Sequence, residues 1–168
     1  MKRIFLCLFG ALLLAACGPN REKELKTIEE HEQQLSALDV NTQDEELNQL
    51  VSLYTRYAQH FPDDSLAPVY MLRAADLCIS LAQPQRSVSL LDSIITLYPG
   101  FEDLGGCYFL KGYAYETAEQ YDSAREAYTR FVEDFPEHPL ASDTRRSIDY
   151  LGMTPEQMLE AILATAEE

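Results

Sequence analysis

Basic residues are scarce in this chain. Its 168 residues include 13 Lys and Arg against 28 Asp and Glu, a formal net charge of −15 at pH 7. Nucleic acid and anionic lipid surfaces are held by Lys/Arg patches, which this balance does not supply. Long apolar runs are lacking too. The extended one, Ile4 to Ala16, falls short of the roughly 20 residues needed to span a bilayer. Motifs of catalysis are absent: there is no G-x-S-x-G elbow, no Walker loop and no H-E-x-x-H pair. Gly105-Gly106 has no Gly-Lys-Ser/Thr after it and reads as a turn at a helix start, not a phosphate cradle. Asp39, Asn41, Gln43 and Glu45 alternate like calcium-loop ligands. A calcium loop also needs Gly at its sixth position and Glu at its twelfth, and here these are Asp44 and Leu50. Asn41, Thr42 and Asp44 are therefore expected to form a turn and a helix cap. His31, His60 and His138 are dispersed and make no i, i+4 pair. No metal or cofactor is expected, and His60 and His138 read as solvated residues at helix ends. Adjacent acids such as Glu29-Glu30, Asp63-Asp64 and Glu167-Glu168 splay apart on a helix and serve solvation. Together these absences argue against an enzyme.

What is present begins at the N-terminus. Lys2 and Arg3 precede the apolar run, and small residues lead to Cys17, which is the layout of a secretory signal. Leu14-Ala15-Ala16-Cys17 resembles the lipobox of bacterial lipoproteins, in which the signal is cut before the cysteine and that cysteine is acylated. The resemblance implies a signal peptide over 1–16, lipidation (palmitate-type acylation) of Cys17, and membrane contact through Cys17. Buried acyl chains contribute about 0.8 kcal/mol per CH2, and two or more anchor a protein stably. Gly18 in place of Asp implies sorting to the outer membrane. Loss of residues 1–16 would remove two positive charges and take the net charge from −15 to −17.

Of four cysteines, Cys78 and Cys107 would then remain as thiols. In the repeat register set out next they sit on neighbouring helices but eight positions out of step, about 12 Å along the axis at 1.5 Å per residue. A disulfide needs Cα atoms within about 7 Å. Two buried structural thiols are expected.

Three aromatic-proline pairs mark the rest of the chain: Phe61-Pro62, Tyr98-Pro99 and Phe135-Pro136, each 37 residues after the last. A fixed period of 20 to 50 residues is the signature of a solenoid. Large apolar residues precede each proline in the same register: Tyr54, Leu91 and Tyr128; Tyr57, Ile94 and Phe131; Ala58, Ile95 and Val132. They fall on one stripe of an amphipathic helix. Each proline then stops its helix, since it lacks an N–H and disfavours the helical conformation in the residue before it.

With Pro136 as a closing proline, Tyr108, Gly112, Tyr115, Ala124 and Tyr128 fall at the signature positions of the tetratricopeptide repeat (TPR) family, which this chain resembles over about residues 44–150. Gly112 and Ala124 would be small where two helices cross. The preceding repeat is degenerate, with Ala75, Cys78 and Ser87 at the glycine, tyrosine and alanine positions. Lys111 and Phe131 also depart from the pattern. A period three residues longer than the usual 34 is similar to the helical lipoproteins of outer-membrane protein assembly (BamD-like) and to YbgF/CpoB-like periplasmic proteins.

The expected fold is all-α: a TPR-like right-handed solenoid of helical hairpins, about two full repeats plus flanking half-repeats and a C-terminal capping helix. Helices are predicted near 21–38, 44–60, 66–82, 85–97, 103–117, 121–134, 138–150 and 155–167. Pro139 is expected to open the seventh. Three regions follow: a signal peptide over 1–16, a lipidated tether and helix over 17–43, and the helical domain over 44–168. The first helix has Leu25, Ile28, Leu35 and Leu38 on a narrow stripe, suited either to an independent partner helix or to a first helix folded onto the array. Thr154-Pro155-Glu156-Gln157 is a capping box with Pro at the first helical position. Behind it, Met158, Leu159, Ile162 and Leu163 are expected to cover the end of the solenoid.

The family lines a concave groove with the first helix of each repeat. The resemblance implies that Val69, Leu72, Asp76, Ile79 and Ser80 face this groove, then Gly106, Phe109, Tyr113, Glu116 and Thr117, with Arg146 and Tyr150 continuing it. The partner-binding set is Leu72, Asp76, Ile79, Phe109, Tyr113, Glu116, Arg146 and Tyr150. Exposed Leu, Ile, Phe and Tyr suit an amphipathic peptide or helix, unless Met153 and the last helix fill the groove. The expected function is a lipid-anchored, non-enzymatic interaction module of the bacterial cell envelope within an outer-membrane assembly complex. Its partner would be another envelope protein, with no nucleic acid and no small-molecule substrate. The alternative is a self-associating structural lipoprotein that organises the envelope.

Overall fold

A computed structural model describes residues 18–37 and 43–165. The expected signal and Cys17, the stretch Leu38 to Thr42 and Glu167-Glu168 lie outside the described residues. The described chain holds eight helices and no strand: α1 (Arg21–Ala37), α2 (Asp44–His60), α3 (Leu66–Ser80), α4 (Pro84–Leu97), α5 (Leu104–Thr117), α6 (Tyr121–Asp134), α7 (Ala141–Ile148) and α8 (Pro155–Thr165). Among these, none is long and apolar enough to cross a membrane. Each of α1 to α6 packs against the next helix in sequence, and α3 also touches α5. The result is a helical-hairpin solenoid.

The aromatic-proline pairs build one turn three times. Phe61, Tyr98 and Phe135 end α2, α4 and α6 with nearly the same backbone, φ −131°, −127° and −129°. The N–H of each donates four residues back, to the carbonyls of Tyr57, Ile94 and Phe131, at 2.8–2.9 Å. Their own carbonyls then accept from Asp64, Phe101 and His138. Tyr57, Ile94 and Phe131 are fully buried, so every stop signal is locked by a core side chain one turn earlier. The turn inside each hairpin also repeats. Ala82 and Glu119, again 37 apart, take left-handed φ of 55° and 57°, and the N–H of the next residue reaches back to Cys78 or Tyr115. That is a Schellman closure.

The structure decides one open alternative and corrects three expectations. First, α1 is folded onto the array and is not an independent partner helix. Ile28 is buried in one cluster with Leu50, Tyr54, Tyr57, Ala74 and Cys78, and Leu25 and Leu35 pack against it. A polar clasp surrounds that contact. Arg21 pairs with Asp64 at 2.5 Å, His60 with Glu24 at 2.5 Å, and Glu32 accepts from both Tyr54 Oη (2.7 Å) and Arg73 (2.8 Å). α1 and α2 therefore form a packed hairpin at the start of the array. Second, His60 is engaged in that clasp instead of serving as a solvated cap.

Third, α7 is shorter than expected and does not begin at Pro139. The carbonyl of His138 is taken by the N–H of Ala141, so the turn after Phe135 runs on through Pro139 and Leu140 before helix begins. Fourth, α8 forms with its capping box, Thr154 N–H donating to Gln157 Oε1 at 2.9 Å and Gln157 N–H to Thr154 Oγ1 at 3.3 Å. It does not cover the end of the solenoid, however. Met158, Leu159, Ile162 and Leu163 are exposed, and α8 packs on none of the other described helices. The face of α7 turned away from the core explains this: Ser142, Asp143, Arg145 and Arg146 are all exposed and polar.

Candidate functional site

The α5–α6 hairpin shows how the sequence places the site. Gly112 is buried, and a Cβ there would lie 2.4 Å from Cδ1 of the Tyr128 ring. Gly112 and fully buried Ala124 thus let the two helices close on each other. The space they leave is filled by Phe109 with Tyr128 and Phe131, whose ring centroids lie 5.7 and 5.6 Å from that of Phe109. Tyr128 Oη donates to Glu116 Oε2 at 2.7 Å. Burial first, and then this carboxylate, push the Tyr128 phenol well above its ordinary range. Glu116 is in turn pinned against the hairpin.

Between α3 and α5 lies a depression of about 530 Å³. Its floor is apolar, with Val69, Leu72, Phe101, Phe109 and Leu110, and its rim carries Arg73, Asp76, Glu102 and Asp103. Asp103 caps α5 by accepting from the N–H of Gly106 at 3.2 Å. Phe109 and Glu116 also border a smaller hollow of about 200 Å³ beside α7, with Tyr128, Leu140 and Thr144. Met153 and α8 contribute to neither. On the other side, the aromatic-proline loops enclose a wider depression of about 780 Å³, lined among others by Pro62, Pro68, Leu97, Tyr98 and Pro99. Val69, Phe101 and Glu102 line both larger depressions, so the two join around the α4–α5 loop.

Of the residues expected to form the groove, the structure brings Leu72, Asp76 and Phe109 together in one depression, with Val69 and Gly106 beside them. Phe109 links this to Glu116. Tyr113 is exposed on α5 and Ile79 is half-buried on α3, outside the described hollows. Arg146 is exposed and pairs with Asp143 at 2.5 Å on its own helix. Tyr150 lies in the turn after α7, because that helix ends at Ile148. Sequence reasoning did not find Phe101, Glu102 and Leu97. They sit on or beside the proline loops, which were read only as helix stops.

Cys78 and Cys107 are free and buried, as their register implied. Burial raises both thiols, that of Cys107 up to about 12. Among the described residues no cluster of His, Cys, Asp and Glu is arranged to hold a metal. His138 packs its ring edge on Phe131 at 5.1 Å, and its Nδ1 accepts from the N–H of Leu140.

The spacing of Tyr108, Gly112, Tyr115, Ala124, Tyr128 and Pro136, with Gly112 lodged under Tyr128, is decided by comparison with known families. Residues 107–138 match the tetratricopeptide repeat. The match spans α5 from Cys107 on, α6 and the start of the turn that follows, the hairpin that holds Phe109 and Glu116. Tetratricopeptide repeats generally bind other proteins or peptides and generally act as non-enzymatic scaffolds. The curated proteins gave no match to the chain. Its likeness to BamD-like and YbgF/CpoB-like proteins rests on the sequence pattern alone.

Proposed function

We propose that this chain is a lipid-anchored, non-enzymatic interaction module of the bacterial cell envelope, acting in an outer-membrane assembly complex, and that it holds another envelope protein between α3 and α5. The observation that carries the reading is the open apolar floor of Val69, Leu72, Phe101 and Phe109, beside the hairpin that matches the tetratricopeptide repeat. Apolar side chains gathered in a depression with a polar rim suit an amphipathic segment. Leu14-Ala15-Ala16-Cys17 supports anchorage by an acylated Cys17. Envelope cross-linking followed by purification of the chain should recover one discrete partner. That partner should be lost from Leu72→Ala combined with Asp76→Ala, with unchanged circular dichroism. Recovery unaffected by the pair would refute the groove. Cys17→Ser should release the chain from the membrane fraction.

One observation favours a second reading, a self-associating structural lipoprotein. Met158, Leu159 and Leu163 leave an apolar face exposed on α8. Light scattering on the full chain in detergent separates the two, because a monomer disfavours self-association.

A further inference from the structure

The charge around the groove narrows the partner. Asp63, Asp76 and Glu102 rim the two joined depressions, all three exposed, and none of them is in an ion pair among the described residues. The cation on that lining, Arg73, is already committed to Glu32 at 2.8 Å and lies over the ring of Tyr70. Asp64, also on the rim, is neutralised by Arg21. The surplus is therefore negative beside an apolar floor, and both features face the same space.

This chain's own exposed amphipathic helix does not match. α8 carries Glu156 and Glu160, and residues 155–168 contain no Lys or Arg. Seating α8 of a second copy in the groove would bring carboxylates onto unpaired carboxylates, and like charges facing each other across an interface oppose docking.

Resting on the interaction reading above, we propose that the occupant of the groove is a cationic amphipathic segment of another protein. Its apolar side chains lie on Leu72, Phe101 and Phe109, and its Lys or Arg residues meet Asp63, Asp76 and Glu102. The acidic rim sets the choice of partner and speeds encounter, the usual role of charge complementarity at an interface.

Two fluorescent peptides of about 18 residues, roughly 27 Å long as helices, test this against the full chain in detergent. Both carry Leu at i, i+3, i+4 and i+7; one has Lys and the other Glu elsewhere. Anisotropy at about 0.15 M salt should show the Lys peptide binding at least about tenfold tighter. Because the whole chain is acidic, location decides the matter. Asp76→Asn with Glu102→Gln should weaken the Lys peptide several-fold. The same charge removed on α6, by Glu126→Gln with Glu133→Gln, should leave it nearly unchanged. Equal loss from both pairs, or no binding of the Lys peptide, overturns the proposal. If the Glu peptide binds better and Leu72→Ser abolishes it, the groove stands and its charge preference falls. If Leu72→Ser affects neither peptide, the groove falls with it.

Discussion

Gly112 has no side chain because the ring of Tyr128 occupies the place of one. Its virtual Cβ lies 2.4 Å from Cδ1 and 2.5 Å from Cε1 of a ring that is itself wedged among Phe109, Glu116 and α6. Gly112→Ala should therefore cost about 1–3 kcal/mol by overpacking, despite the usual gain from replacing glycine in a helix. Denaturant unfolding would measure it. Ser87 gives the opposite sign. It occupies in α4 the register position that Ala124 occupies in α6, it is fully buried, and its hydroxyl has no hydrogen-bond partner among the described residues. Ser87→Ala should raise stability by roughly 1 kcal/mol, since an unsatisfied buried hydroxyl is removed with little change of shape. A lower midpoint in that variant would mean the hydroxyl is satisfied after all. Both positions were legible in the sequence, because a fixed period compares each residue with its counterpart. The pairing of His60 with Glu24 was not legible: it joins residues in different helices that no period relates.

The helix ends marked by proline were the most legible. Where proline follows an aromatic, the lost N–H and the restricted residue before it end α2, α4 and α6 at the expected places. The start of α7 was misread because the turn at Phe135 continues through His138 to Ala141, and Pro139 serves that turn. The docking of α1 was open in the sequence because its apolar stripe is narrow. Polar contacts complete it, and they give a pH dependence. Arg21, and then the N–H of Leu66, hold the Asp64 carboxyl well below its ordinary value, down to about 2. A carboxyl depressed in the folded state contributes stability that is fully present above its unfolded value, near 4, and is lost as pH falls toward 2. Hydrogen-exchange protection of residues 21–37, corrected for intrinsic rates, should decline across that window relative to α5. Asp64→Asn should lower it at neutral pH and flatten the dependence. A profile in α1 that is unchanged by the substitution would assign the clasp elsewhere.

Across the whole molecule, the array leaves its inner face open and its last helix unseated. The resemblance to tetratricopeptide repeats, in the register that the 37-residue period set, implied that Leu72, Asp76 and Phe109 lie on that face, and the three line one depression. It left the wide depression by the proline loops unseen, since loop conformation is set by tertiary contacts and not by periodicity. Arg146 and Tyr150 lie outside the described hollows.

The central claim is that a partner protein lies on the α3–α5 face in the cell envelope. Site-specific photo-cross-linking in living cells tests it directly, with the photoreactive residue placed in turn at positions 72, 76 and 133. The account predicts one discrete adduct from 72 and 76 and none from 133, on the exposed outer side of α6. Adducts of equal yield at all three positions, or an adduct from 133 alone, would contradict it.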